Sequence, residues 1–354
     1  MGVMMKERSD NMIYIWRIIF ANMIAAFHFG SVYHIAKDMG IFNGWYISVE
    51  FFFIVSGFLL YRQCKSNKYA TNIEYIKDKY FNIYPIYIIC FAIMFIFKTA
   101  ADPSTRAIYF FDSFWEMVGL QCIGLNRGWD YISGTSWYIS ALLICGFFLY
   151  FLLQNYEKFT VEFLIPLCIM VFYSWFYRNG AILDFTVAGE VSGFYINGAL
   201  MRGIAGMGLG VIAARLNSYL QKNVRNILLW KGLGVAGFLL VIVWSFMKGY
   251  TYNDFPMAFI LCICVAIGFL PNEKIRIPGI IKYWSKATLG VYLIHDVFRT
   301  YIFPRYFGYP ESIRDRSKLC LLYLLVVNVA GILLTVFSRL VQKILIKCKC
   351  ILLK

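Results

Sequence analysis

Arg17, His28, Glu50, Arg202 and His295 stand inside long apolar stretches of this chain. A charge at the centre of a membrane span costs about 2.5–3.5 kcal/mol on insertion scales, so each one marks a candidate site. Arg17 and His28 share the first apolar run. Eleven residues advance a helix by about 16.5 Å and turn it through three turns plus roughly 20°, so the two side chains share one face at different depths. Glu50 lies in the next run, GWYISVEFFFIVSGFLL, at a depth that matches His28 within a few Å if the run crosses in the opposite direction. A carboxylate beside an imidazole fixes its tautomer and raises its basicity, which is the arrangement of a general base. The alternative is a polar pair that holds two helices together. Tyr292 and His295 are three residues apart on one helical face, as are Asp296 and Arg299, which can pair with each other. Arg202 opens the run GALMRGIAGMGLG, where it can meet a substrate or sit at the interface. The glycines of that run let helices approach closely, with Gly206 and Gly210 at dimer-motif spacing.

The elements that must position these groups are membrane spans. The 354 residues are 60% hydrophobic and 15% charged, against roughly 45–50% and about 25% in a soluble domain. The excess comes in runs near the ~20 residues that cross a bilayer. Spans are expected near 11–33, 44–62, 82–98, 136–153, 160–177, 197–215, 226–247, 256–270, 285–303 and 319–346. The fold class is therefore all-α, a polytopic integral membrane bundle of about ten transmembrane helices, forming one domain over 1–354 with no separate soluble domain. The run at 256–270 is short for ~30 Å of hydrocarbon.

The formal net charge of +15 resides in short connections. Anionic lipid and membrane orientation account for it, and no basic face is left for nucleic acid. Lys6, Arg8, Arg62, Lys65, Lys77, Lys79, Arg215, Lys222, Lys274, Arg276, Lys343 and Lys347 all fall on one side if ten spans alternate. That side is expected to be cytoplasmic. Arg305, Arg314, Arg316 and Lys318 form the exception, on the outer side. The longest outer loop, about 99–135, contains FFDSFWEMVGLQCIG, too polar to span and apolar enough to lie at the interface as a surface helix or a lid. The ten cysteines sit mostly inside apolar runs, where Cys acts as a small hydrophobe, and no Cys or His spacing fits a metal. Cys348 and Cys350 follow the last run as free thiols or as lipidation sites.

Arg-x10-His in the first span, followed by Glu50 before FFIVSGFLL, resembles the membrane acyltransferase 3 family. Ile83-Tyr84-Pro85 resembles that family's Arg-x-Tyr-Pro segment. Thr135 to Ser140 (TSWYIS) resembles its Trp motif, and Leu289 to His295 (LGVYLIH) its late Gly-x-Tyr-x-x-His segment. The chain departs from the pattern at Glu50, where Asp is frequent, at Asn82 in place of Arg, and at Leu142 in place of Glu.

The resemblance implies transfer of an acyl group, usually acetyl, from cytoplasmic acyl-CoA to a hydroxyl of a cell-surface glycan. It implies His28 as general base, Glu50 as its acidic partner and Arg17 as the binder of the donor's anionic part. The chain would be the stand-alone form, without the added extracellular domain of some relatives. Tyr292, His295 and Ser140 are candidates for stabilising the oxyanion, and Arg202 for a further contact. The partners implied are the bilayer, acyl-CoA and the glycan acceptor, with no metal. The competing class is a transporter or export protein for a surface polysaccharide, in which the charges line a path. The absence of repeats and of paired broken helices weighs against it. The charge distribution places both termini in the cytoplasm of a multi-pass cell-membrane protein. A reporter fused after Lys354 should be active only as a cytoplasmic reporter. An externally active fusion would mean an odd number of crossings, with 256–270 as the first suspect.

Overall fold

The computed structural model describes residues 12–100, 102–124, 132–179, 197–249, 253–271 and 276–352. Among these, every regular element is helical. Seven helices long and apolar enough to span come first in chain order: α1 (Met12–Val32), α2 (Ser48–Lys65), α3 (Asn72–Ala100), α4 (Trp137–Asn155), α5 (Glu157–Arg178), α6 (Gly198–Asn223) and α7 (Ile227–Met247). The next helix, α8 (Asp254–Gly268), is shorter. The chain then forms α9 (Gly279–Lys286), α10 (Thr288–Val297), a π-turn at Phe298–Ile302 and α11 (Phe303–Phe307). The last helix, α12 (Ile313–Leu352), is again long enough to cross. The protein is a polytopic helical membrane protein. Each expected span has its counterpart, except that the one expected at 285–303 as a continuous helix is broken.

Contacts at the two ends of the bundle show the alternation. At one end Arg316 pairs with Asp38, the Tyr46 hydroxyl donates to Asp254 at 2.6 Å, and Trp45 Nε1 donates to the Ile242 carbonyl at 3.4 Å. At the other, Phe58 stacks on Phe269 at 4.0 Å, and Glu157 receives the Tyr61 hydroxyl at 2.8 Å and Lys65 at 3.0 Å. These two ends correspond to the outer and inner sides of the expected topology and carry those labels below.

Prolines locate the irregularities. Pro85 stands inside α3, has no N–H to give, and crowds the carbonyl four residues back, that of Phe81. That carbonyl is taken up by Gln342 Nε2 of α12 at 2.6 Å, so the acceptor freed by the proline is satisfied by a neighbouring helix. Pro166 and Pro304 each follow a π-turn, at Thr160–Leu164 and Phe298–Ile302, where the widened turn accommodates the ring. Outward faces are apolar. In α12, Leu321, Leu325, Val329, Leu333 and Phe337 recur every fourth residue and are exposed, as lipid contact requires.

The tightest seam joins α2 to α6. A Cβ added at Gly57 would lie 2.0 Å from the Met207 carbonyl oxygen, and one at Gly210 would lie 2.2 Å from that of Ile54. Small residues allow this backbone approach, which carries helix association in lipid. A second such contact joins α10 to α12, where a Cβ at Gly290 would meet the Gly331 carbonyl at 2.4 Å. Gly57→Ala should therefore destabilise the detergent-solubilised protein by about 1–3 kcal/mol, the usual range for overpacking. Thermal unfolding measures this. A wild-type melting temperature would mean that the two backbones do not touch there.

Candidate functional site

Glu50 lies in the first turn of α2 and Arg202 in the first turns of α6, so both enter the bundle from its outer end. Both are buried, at 0% and 1% exposure. Arg202 Nε donates to one carboxylate oxygen and its terminal nitrogen to the other at 2.5 Å. The same terminal nitrogen donates to the Tyr46 carbonyl at 3.3 Å, and the guanidinium stands 5.4 Å from the Trp137 ring. This forked geometry is what a guanidinium offers a carboxylate. The expected Glu50–His28 pair is corrected here: both oxygens of Glu50 serve Arg202. Equal depth did not bring Glu50 to the imidazole, because the side chain faces the α6 seam.

The opposite face of α2 lines a cavity of about 280 Å³. Val49, Phe52, Ser56, Leu59 and Gln63 follow one another at three- and four-residue steps along it. Arg17 and Ile24 of α1, Tyr75, Ile76, Lys79 and Ile83 of α3, Tyr138 of α4 and Tyr292 of α10 close the other sides. Lys79 and Gln63 mark the inner end. The lining between them and Tyr292 is mostly apolar. Arg17 Nε is buried and has no hydrogen-bond partner among the described residues. A guanidinium placed so against a cavity has a donor free to meet an anion.

Beyond the outer end of this cavity the two histidines meet. His28 is one turn past Ile24 on α1, and His295 is one turn past Tyr292 on α10. Their ring centres are 5.2 Å apart with 31° between planes. His295 is fully buried, and its Nδ1 is bonded to the Tyr292 carbonyl. The Tyr323 hydroxyl donates to the His295 carbonyl at 3.1 Å. The neighbouring Asp296 is held by Arg299 at 2.6 Å, as the i, i+3 spacing suggested, and receives Ser133 Oγ at 3.2 Å.

The outer loop caps this end. Glu116 is fully buried and accepts from the Ile132 and Ser133 amides at 2.7 Å each and from Ser136 Oγ at 3.0 Å. Burial pushes its carboxyl up to about 7, against the pull of these donors. Ser140 Oγ accepts from the Cys122 amide at 3.0 Å, and the Tyr292 hydroxyl donates to the Thr135 carbonyl. Ser140 and Tyr292, expected as oxyanion candidates, thus have their polar atoms engaged with the loop. Part of the expected outer loop, 101 and 125–131, lies outside the described residues.

Sequence reasoning missed Lys79, Gln63 and Glu116. Lys79 was counted only as a loop charge. Glu116 sits in a loop that looked amphipathic, where nothing signals that a carboxylate will be wrapped by backbone amides.

A many-helix membrane protein with a cationic, largely apolar cavity leading toward paired imidazoles is a fit host for group transfer within the bilayer. A family model described as an acyltransferase domain, that of acyltransferase 3, matches residues 13–340, nearly the whole chain. The protein belongs to that family and is a membrane acyltransferase. No curated protein and no solved structure matches it.

Breaking a buried ion pair strands a charge and costs about 3–5 kcal/mol, whereas replacing both partners with apolar groups is often neutral. Glu50→Met and Arg202→Met should each lower the thermal stability strongly, and the two replacements together should recover most of it. Additive losses in that cycle would show that the two side chains do not act as a pair.

Proposed function

We propose that the protein moves an acyl group, acetyl in the simplest case, from cytoplasmic acyl-CoA to a hydroxyl of a cell-surface or exported glycan. It would do so from the cell membrane, with both termini in the cytoplasm. The observation that carries this reading is the cavity. It has Lys79 and Gln63 at the inner end, on its wall a guanidinium whose Nε has no partner among the described residues, and Ile24 and Tyr292 at the outer end, one helical turn from His28 and His295 respectively.

The chemistry needs a base for the acceptor and an anchor for the donor. His28 takes the proton of the attacking hydroxyl. The oxygen adds to the thioester carbonyl, the C–S bond breaks, and the leaving thiolate takes the proton from the imidazolium. Arg17 holds an anionic or strongly polar part of the donor about 16.5 Å from His28, a separation suited to a long, thin thioester arm. Binding of a phosphate by a forked guanidinium is not reproduced by an ammonium.

Donor-dependent kinetics in proteoliposomes, with acetyl-CoA varied at fixed acceptor, test these roles. His28→Ala should lower the maximal rate by about 10²–10⁴-fold, the usual value of general-base catalysis, with the protein still inserted. Arg17→Lys should raise the acetyl-CoA concentration for half-maximal rate roughly tenfold, the loss of about one charge-assisted hydrogen bond, with a smaller change in maximal rate. Normal turnover in the first variant, or unchanged donor dependence in the second, would remove the assignment.

A further inference from the structure

A base histidine needs a group that fixes its tautomer and steadies its charged form. Glu50 is turned to Arg202, which both of its oxygens accept from. The ring that lies against His28 is that of His295. We propose that His295 is the positioning residue for His28, its Nε2 accepting a hydrogen bond from the His28 imidazole. The proposal rests on the reading of His28 as the base.

Three observations carry it. The Tyr292 carbonyl can only accept, so the His295 Nδ1 bonded to it must carry the proton. The neutral ring then presents Nε2 as a lone pair. That Nε2 is buried and has no hydrogen-bond partner among the described residues, although His295 is 0% exposed. A buried acceptor left alone is costly, so it marks a place where a donor is expected. Lastly, a linear N–H···N bond of about 2.9 Å between two five-membered rings puts their centres about 5 Å apart. The observed centre-to-centre distance of 5.2 Å is at that spacing. Catalytic hydrogen bonds commonly tighten only when substrate is bound.

In the reaction the hydroxyl proton passes to the free nitrogen of His28 and later to the thiolate. His295 keeps its own proton throughout. It acts by holding the other His28 N–H, with its own ring fixed by Tyr292 and its backbone by Tyr323.

Two substitutions separate this role from a structural one. In His295→Asn the amide nitrogen can keep the bond to the Tyr292 carbonyl, but no acceptor stands where Nε2 was. In His295→Gln the longer side chain can place its amide oxygen near the Nε2 position. The full chain has three histidines, His28, His34 and His295, so ¹⁵N-imidazole spectra in nanodiscs are assignable with a His34→Gln control. His28 should show one tautomer in the wild type and in H295Q, and a mixture in H295N. With acetyl-CoA as donor, H295N should lower the maximal rate by about 10²-fold or more with the KM for donor within about twofold, and H295Q should recover most of that loss. A wild-type His28 spectrum and rate in H295N would overturn the proposal. So would mixed His28 tautomers in a folded H295Q. If H295N does not fold, the H295Q spectrum decides alone. A wild type that consumes no acyl-CoA would remove the proposed function, while the spectra would still decide whether His295 orients His28.

Discussion

Glu50 and Arg202 can remain in the hydrocarbon only together, and they can meet only where α2 and α6 approach within glycine distance. Each charge alone would be stranded far from water. The seam below them supplies the approach. Gly57, Gly206 and Gly210 remove the side chains that would otherwise hold the two helices apart. The pair in turn fixes the rotation of α2 about its own axis. With Glu50, Phe53, Ile54 and Gly57 turned toward α6, the opposite face carrying Val49, Phe52, Ser56, Leu59 and Gln63 must turn toward α1, α3 and α10. The cavity wall is a geometric consequence of the ion pair.

The outer end is held by a different device. Lipid cannot satisfy the amides of the 132–136 segment, and the described part of the outer loop does so with one carboxylate. Glu116 gathers two amides and a hydroxyl, while Ser140 and Tyr292 tie Cys122 and Thr135 to the helices. The loop is therefore tied to α10, the helix that carries His295. Rigid support of this kind is what a site needs if a ring is to stay within a fraction of an Å of its working position.

The existence and order of the crossings could be read from apolar length alone, because bilayer thickness imposes it. Their ends could not. The third span, expected at 82–98, begins at Asn72 as a helix, since its first turns carry Lys77, Asp78 and Lys79 and extend beyond the apolar run. The expected span at 285–303 breaks at Ala287 and widens before Pro304, and only the proline was a visible cause. For the site, sequence gave depth and face within a helix but not the neighbour across from it. His28 and Glu50 were matched by depth alone. A stricter use of the cost of buried charge would have matched Glu50 with Arg202, which lies about as far inside the outer end of its own span. That choice would have left His28 to seek its neighbour among the late residues, where Tyr292 and His295 already shared a face.

The size of the cavity bears on how a donor from one side can meet an acceptor on the other without opening the membrane. Whole drug-sized ligands occupy roughly 300–1,000 Å³. A cavity of about 280 Å³ that runs along α2 from Gln63 to Val49 lies below that range. On the proposed reading the nucleotide end of the donor would stay at the inner mouth beside Lys79. Only the thioester arm would pass Arg17 and reach the imidazoles. The arm would then fill the passage it uses, so the apolar wall closes around it and ions have no continuous water path. A wider channel would bind the donor as well but would leak. A shorter one would leave the carbonyl below His28. On the proposed reading, the length set by Arg17-x10-His28 and the apolar wall set by the α2 face are two parts of one requirement: the acyl group must cross and the solvent must not.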